Sequence, residues 1–465
     1  MSLIRYVRSV LNRIRAVFAR SVARFRFGRA ILLRTIAIVR RSHLAELYGR
    51  IEQLEWIGAQ AETTRQPVRR PSDQRSVVFL HNSYYNFYYL ASALRKRGWD
   101  ALSVSVDDPL GSNARFSHGA DLSLHDPSEA RMRKNVEEFF SESLGRFRML
   151  HFYGRGHMSM FQSEFDSGAS FSRLPSAFLR LKRSGVKIGY SVCGCLDGVS
   201  QSAFHRWSGG CCDRCIWQNN PLVCNDKMNL AWGHKVEMFC DLIACEGFPA
   251  LDYQSGPKAY REPLTTALDP EFWRPDLEIP PHLVLPRSDG ELIVYHAVGN
   301  YDLRSNPEKN VKGSRAVVEA VNRLRSEGMN VRLEFVTDMP SKDVRFIQLQ
   351  ADVVVDQLNH GRYGANAREA MMLGRPTICH INKSELTGET VLDSIRECPL
   401  VSANELTVYE VLKGLLRDPQ QRLKAGLDGR KFALKWHSSA SCAARFESVF
   451  DRLQMSLPPQ ESVVS

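Results

Sequence analysis

Two stretches of this chain, 76–245 and 291–381, repeat one pattern: a short apolar run, a turn, an amphipathic helical stretch and another apolar run. Apolar strands alternating with amphipathic helices call for a parallel sheet covered on both faces. From Ser76 the sequence SVVFLHNSYYNFYYLASALRKRGWDALSVSV gives a strand, a turn at His81–Ser83, a helix ending at Gly98 and a second strand. Further strands are expected at Arg148–Phe152, Val186–Val192 and Asp241–Cys245. In the second stretch ELIVYHAVGN, VRLEFVTDMP, ADVVVDQLN and PTICHI read as strands, and SRAVVEAVNRLRSEG and AREAMMLG as helices stopped by glycine. The expected fold is α/β: two Rossmann-like halves facing a cleft.

Punctuation between the patterned stretches sets the boundaries. Residues 1–59 form a basic helical arm, and 60–75, polar with Pro67 and Pro71, a linker. Residues 76–262 make a first domain, 263–290 a proline-rich connection, 291–455 a second domain and 456–465 a tail. With 43% hydrophobic and 24% charged residues, the chain is neither disordered nor collagen-like.

Charge is concentrated at one end. Residues 1–41 hold eleven arginines and no acid, which accounts for the whole formal charge of +11 and leaves the remainder balanced at 51 basic against 51 acidic residues. That placement argues against a nucleic-acid surface assembled across the fold, and no nucleic-acid partner is expected. Within the arm, Ile4, Val7, Leu11, Ile14, Phe18, Val22 and Phe25 step by three or four onto one helical stripe, with Arg5, Arg13, Arg20 and Arg24 opposite. Such an amphipathic helix suits an anionic membrane surface. Packing on the protein itself or on another copy, an organellar transit peptide and an RNA-binding arm are the alternatives. No apolar run is long enough to span a bilayer and no secretion signal is recognisable, so the expected location is cytoplasmic, peripheral on the membrane.

Six of the eleven cysteines fall within 193–224. Cys212 and Cys215 have the spacing of a thiolate knuckle, and Cys195 and Cys224 complete a set of four for a closed, structural Zn²⁺ site, with Cys193 and Cys211 as substitutes. An iron–sulfur cluster and plain reduced cysteines remain open. Just beyond the strands of the first half, His81, Asn82, His151 and Asp197 are candidates to line the cleft.

The segment DVVVDQLNHGRYGANAREAMMLGRPTICHI (352–381) resembles the donor-site signature of the retaining GT-B glycosyltransferases, the group 1 or family 4-like enzymes. VKGSRAVVEAVNRLRSEG (311–328) resembles their Lys-Gly element and LTTALDPEFWRP (264–275) their linker signature. The resemblance covers about 260–455, is diffuse over 76–260 and excludes the arm and the cysteine run. It implies a nucleotide diphosphate sugar as donor, a lipid-linked or polysaccharide acceptor, retention of configuration and no cofactor for the chemistry. It also implies that Tyr363, Gly364, Ala365 and Asn366 hold the donor diphosphate at a helix N-terminus, that Glu369 takes the ribose hydroxyls, and that Lys312, with Arg304 as a second cation, stabilises the leaving group.

Two positions depart from the pattern. Eight residues before Glu369, where the family has the carboxylate that contacts the transferred sugar, stands Gly361, with His360 beside it. The histidine often found before a Gly-x-Asp turn in the first half is matched by Cys193. Hydrolysis or epimerisation of a nucleotide sugar is therefore an alternative on the same fold. A non-catalytic scaffold or nucleic-acid-binding protein using the arginine arm is the alternative from another class.

Overall fold

Strands and helices alternate as the apolar runs require. In a computed structural model, which describes residues 74–80, 84–111, 114–143, 145–154, 181–182, 184–195, 197–208, 211–215, 217–220, 224–247, 251–299, 312–337, 339–382 and 392–460, two parallel sheets are formed. The first contains β1 (Ser76–Leu80), β2 (Asp100–Ser105), β3 (Leu122–Ser123), β4 (Met149–Tyr153), β5 (Lys187–Ser191), β6 (Leu242–Ala244) and β7 (Ala259–Tyr260). Their order is β3-β2-β1-β4-β5-β6-β7. The second contains β8 (Leu292–Ala297), β9 (Val331–Val336), β10 (Val353–Val355), β11 (Thr377–Cys379) and β12 (Val401–Ser402), in the order β12-β11-β10-β8-β9. Each sheet starts in its interior, runs to one edge and then crosses to the other side, so the order reverses between β1 and β4 and between β8 and β10. Such switch points open a crevice at the carboxyl ends of the strands.

Helices cover the sheets. In the first half these are α1 (Asn86–Lys96), α2 (Glu129–Ser143), α3 (Gln201–Ser208) and α4 (Asp226–Phe239). In the second they are α5 (Ser314–Ser326), α6 (Ser341–Gln350), α7 (Ala365–Met372), α8 (Asp393–Arg396), α9 (Val408–Arg417), α10 (Pro419–His437) and α11 (Ser439–Gln454). α5 shows why the pattern works: Val317, Ala320, Val321 and Leu324 are buried at helical spacing while arginines and glutamates point outward. Asn225 and Asp418 cap α4 and α10 by accepting backbone N–H bonds from Met228 and Gln421. α11 returns to the first half, where Phe446 packs on Phe79 (5.3 Å between ring centroids) and Phe450 on Trp99 (4.8 Å).

The carboxyl-end loops of the two sheets meet. The Tyr85 hydroxyl, after β1, donates to Glu369 of α7; His118, after β2, is bonded to Ser341 at 2.8 Å; and Asn382, after β11, donates to the Trp207 carbonyl. The Glu262 carboxylate accepts the Asp393 N–H at 2.7 Å, joining the end of the first half to α8. The strands expected from the apolar runs are present; the two-residue strands β3, β7 and β12 were not anticipated, being too short to carry a periodic signal. The amphipathic arm lies outside the described residues. Among the described residues no helix is long and apolar enough to cross a membrane.

Candidate functional site

At the switch point of the second sheet, β10 ends at Val355 and the next residue, Asp356, has a side chain with no solvent exposure. Its carboxylate takes Lys312 Nζ at 3.1 Å on one oxygen and the Gly364 N–H at 2.8 Å on the other. Burial by itself pushes this carboxyl up, but the Lys312 charge and the Gly364 N–H prevail and hold it below the ordinary aspartate value. Lys312 is fixed from behind, because its carbonyl accepts the Leu358 N–H at 3.0 Å. The next residue must be glycine: Gly313 has φ +76°, and a Cβ there would sit 2.7 Å from Leu358 Cβ.

His296, on β8, ties these pieces together. Its Nδ1 lies 2.8 Å from the Val355 carbonyl and its Nε2 2.8 Å from Ser314 Oγ at the start of α5. A carbonyl can only accept, so Nδ1 carries the proton and the Ser314 hydroxyl donates to Nε2. Burial pushes this imidazole down to about 4, in keeping with a neutral ring.

Gly364 is the N-cap of α7, and the first-turn amides of Ala365, Asn366 and Ala367 have no intrahelical acceptor. One turn further, Glu369 is 5% exposed. One of its oxygens accepts from the Tyr85 hydroxyl, the other from Gln348 Nε2 at 3.2 Å. Burial raises the Glu369 carboxyl, and these two donors only partly offset it. Tyr85 belongs to a column of stacked groups: its ring lies 4.6 Å from His118, which lies 4.9 Å from Phe272, over which the Arg345 guanidinium sits at 3.5 Å.

Lys312, Gly364, Ala365, Asn366 and Glu369 are thus brought to one place. Tyr363 directly precedes the Gly364 N-cap in the same turn, while its side chain is turned to His437, with hydroxyl and Nε2 3.1 Å apart. Arg304, His81 and Asn82 lie outside the described residues. His151 and Asp197 turn out to be interior groups of the first half and not cleft-lining ones. His151 is bonded through Nε2 to Ser191 Oγ at 2.7 Å, and burial pushes it down to about 3. Asp197 accepts from the Tyr190 hydroxyl, from Trp232 Nε1 at 3.2 Å and from the Cys193 N–H at 2.6 Å.

The cysteine run is organised around Gln201. Its N–H donates to Asp226, its side-chain amide to the Gln218 carbonyl at 2.9 Å, and its carbonyl lies 3.9 Å from Cys212 Sγ. This draws the segments bearing Cys212, Cys215 and Cys224 together, and Cys195 lies within electrostatic reach of all three thiols. Burial, followed by the other thiols of the set, pushes Cys195 up to about 12 and Cys212 up to about 11. All eleven cysteines are free. Among the described residues, however, no group of three or more His, Cys, Asp or Glu side chains stands in an array that holds a metal ion. The structural zinc expected from the spacing is not present as a formed site.

Asp356, Tyr85 and Gln348 are participants that the sequence reading did not single out. Asp356 had a signal, an acidic residue directly after the run VVV at a strand's carboxyl end. Tyr85 and Gln348 had none, because both reach Glu369 from distant parts of the chain.

No family model matches the sequence, and no curated protein matches it. Among solved structures, sucrose-phosphate synthase from Thermosynechococcus elongatus is similar over 83% of this chain and 100% of its own, at 13% identity and a TM-score of 0.51. A glycosyltransferase from Rickettsia africae ESF-5 is similar over 82% and 99%, at 10% identity and a TM-score of 0.48. A glycosyltransferase involved in lipopolysaccharide biosynthesis is similar over 80% and 98%, at 11% identity and a TM-score of 0.47. The likeness to the first is one of fold, the two-sheet GT-B architecture.

Proposed function

We propose that this chain is a glycosyltransferase that uses a nucleotide diphosphate sugar and retains configuration. The observation that carries the reading is the convergence of Lys312, Asp356 and the α7 N-terminus at the switch point of a GT-B sheet, facing the loops of the other half. In the proposed complex the donor diphosphate takes Lys312 and the first-turn amides of α7, and the ribose hydroxyls replace the Tyr85 hydroxyl on Glu369. As the bond from C1 of the sugar to the phosphate oxygen breaks, negative charge grows on the diphosphate, where the lysine and the helix N-terminus stabilise it. The acceptor hydroxyl forms the new C1–O bond on the same face and passes its proton to the departing phosphate oxygen, so no separate base is required. Arg304 is proposed as the second cation.

The acceptor is proposed to be lipid-linked or a surface polysaccharide, with residues 1–41 holding the chain on the cytoplasmic face of a membrane. Flotation of the full chain with anionic vesicles, lost on deleting residues 1–59, is the expected result. A structural Zn²⁺ drawn in by Cys195, Cys212, Cys215 and Cys224 stays a proposal, supported by their spacing and mutual proximity; metal analysis is expected to find about one zinc per chain.

Gly361, in place of a carboxylate, is the observation that favours hydrolysis or epimerisation of the nucleotide sugar as the second reading. Product analysis by NMR separates the two. Glycoside formation with the donor's anomeric configuration supports transfer; free sugar or an epimerised nucleotide sugar as the sole product contradicts it.

A further inference from the structure

The chain passes between the two halves twice, and the two passages lie side by side. Going forward, residues 264–268 open the connection out of the first half; coming back, α10 ends at His437 and α11 starts at Ser439. Leu268 joins the two: its N–H donates to the His437 carbonyl at 2.7 Å, and its carbonyl accepts the Ser439 N–H at 2.7 Å. Any movement of one half against the other acts on this pair of segments.

Consecutive threonines in the forward passage are tied to opposite halves. The Thr265 hydroxyl donates to Glu246 and lies 2.7 Å from Ser191 Oγ, which lies 2.7 Å from His151 Nε2, all in the first half. Thr266 Oγ1 lies 3.1 Å from His437 Nδ1, and His437 Nε2 lies 3.1 Å from the Tyr363 hydroxyl of the second half. His437 is 1% exposed; burial, followed by the Arg368 and Arg445 charges, pushes its imidazole well below the ordinary value, so the ring is neutral, with one nitrogen donating and the other accepting. Phe432 closes on both rings, with its centroid 6.2 Å from that of Tyr363 and 5.9 Å from that of His437.

We infer that His437 is a positioning residue for the nucleotide site, tying the passage between the halves to the turn that presents the first-turn amides of α7. The inference rests on the donor-site reading above and gives His437 no contact with the ligand. The other bonds on this turn come from the second half itself: the Gly361 carbonyl accepts the Asn382 N–H, the Arg362 carbonyl accepts from the Gln357 side chain, and the Gly364 N–H donates to Asp356. The chain Thr266–His437–Tyr363 links the turn to the passage. A shift between the halves reaches the amides through the imidazole, and breaking the chain on either side of the ring has the same effect on them.

The test measures, on the full chain, thermal melting and calorimetric affinity for the nucleoside diphosphate it binds, found from a panel of UDP, GDP and ADP. Tyr363→Phe and Thr266→Val each break the chain on one side of the ring. Each is expected to lower the affinity about 3- to 10-fold, the range of one hydrogen bond, and the double variant to lower it no further than the more affected single one, because the second break falls on a chain already broken. Thr265→Val removes the neighbouring hydroxyl and its bonds into the first half; it is expected to lower the melting midpoint and leave the affinity at the wild-type value. An unchanged affinity in either single variant, losses that add in the double variant, or a Thr265→Val loss as large as that of Thr266→Val overturns the inference. If Tyr363→Phe does not fold, Thr266→Val against Thr265→Val decides alone. Wild-type chain that binds no nucleotide removes the donor-site reading and this one with it; nucleotide binding without this pattern removes this one alone.

Discussion

Lys312→Ala takes the cation away from a carboxylate that has no contact with solvent. With Lys312 gone, Asp356 retains the Gly364 N–H as a donor and little else to stabilise its charge. Breaking a buried pair from one side costs about 3–5 kcal/mol, because the remaining ion is left uncompensated. Asp356→Asn is milder: the side-chain oxygen still accepts from Gly364, and the lysine, itself 12% exposed, regains part of its hydration, for a loss of about 1–3 kcal/mol. In the double variant no buried charge is stranded, so it is expected to be more stable than Lys312→Ala alone by about 2 kcal/mol. Urea unfolding at pH 7.5, followed by circular dichroism, measures all four proteins. A Lys312→Ala variant within about 1 kcal/mol of wild type, or a double variant as unstable as the sum of the singles, would refute the account of this pair.

Three other outcomes are expected. Stability falls on acidification: burial pushes His151 down to about 3 and His296 down to about 4, so below about pH 6.5 the unfolded chain binds protons that the native one does not. Each contributes a loss of about 2 kcal/mol at pH 5, which Asp356 reinforces and the raised Glu369 carboxyl opposes; a melting midpoint no lower at pH 5 than at pH 7.5 contradicts this. Tyr85→Phe deprives Glu369 of one of its two donors and is expected to cost about 1–3 kcal/mol in the ligand-free protein, read by thermal melting, with no change counting against the contact. Gly361→Ala combines a left-handed backbone with a Cβ against Trp207 and Asn382, so a loss of about 1–3 kcal/mol is expected; an unchanged melting midpoint would show that the indole does not fill that space.

Much of the architecture was legible because parallel sheets are built from apolar runs and helices whose patterns are local. The runs at 76–80, 149–153, 292–297 and 353–355 became the central strands, and the glycine stop after α5 fell where it was expected. The site was legible only in part. Lys312, Gly364 and Glu369 belong to short motifs and could be named from them. Their partners could not, because Tyr85 approaches from the other half and Gln348 from a preceding helix, and the pairing depends on packing that sequence spacing does not encode. His151 and Asp197 show the opposite error. His151 stands in the middle of β4 and Asp197 six residues beyond the end of β5, and their side chains turn inward onto Ser191 and Tyr190. The cysteine spacing singled out the run, while the geometry of a metal site did not follow from it among the described residues.

The central claim is that the cluster around Lys312, Asp356 and α7 is a nucleotide diphosphate site. Calorimetric titration of the full chain with UDP, GDP and ADP tests it most directly, alongside Glu369→Ala and a Lys312→Ala, Asp356→Asn double variant that avoids a stranded charge. The account predicts micromolar binding of one diphosphate, weakened at least tenfold in both variants. A folded wild-type chain that binds none of the three, or binding that both variants leave intact, would contradict it.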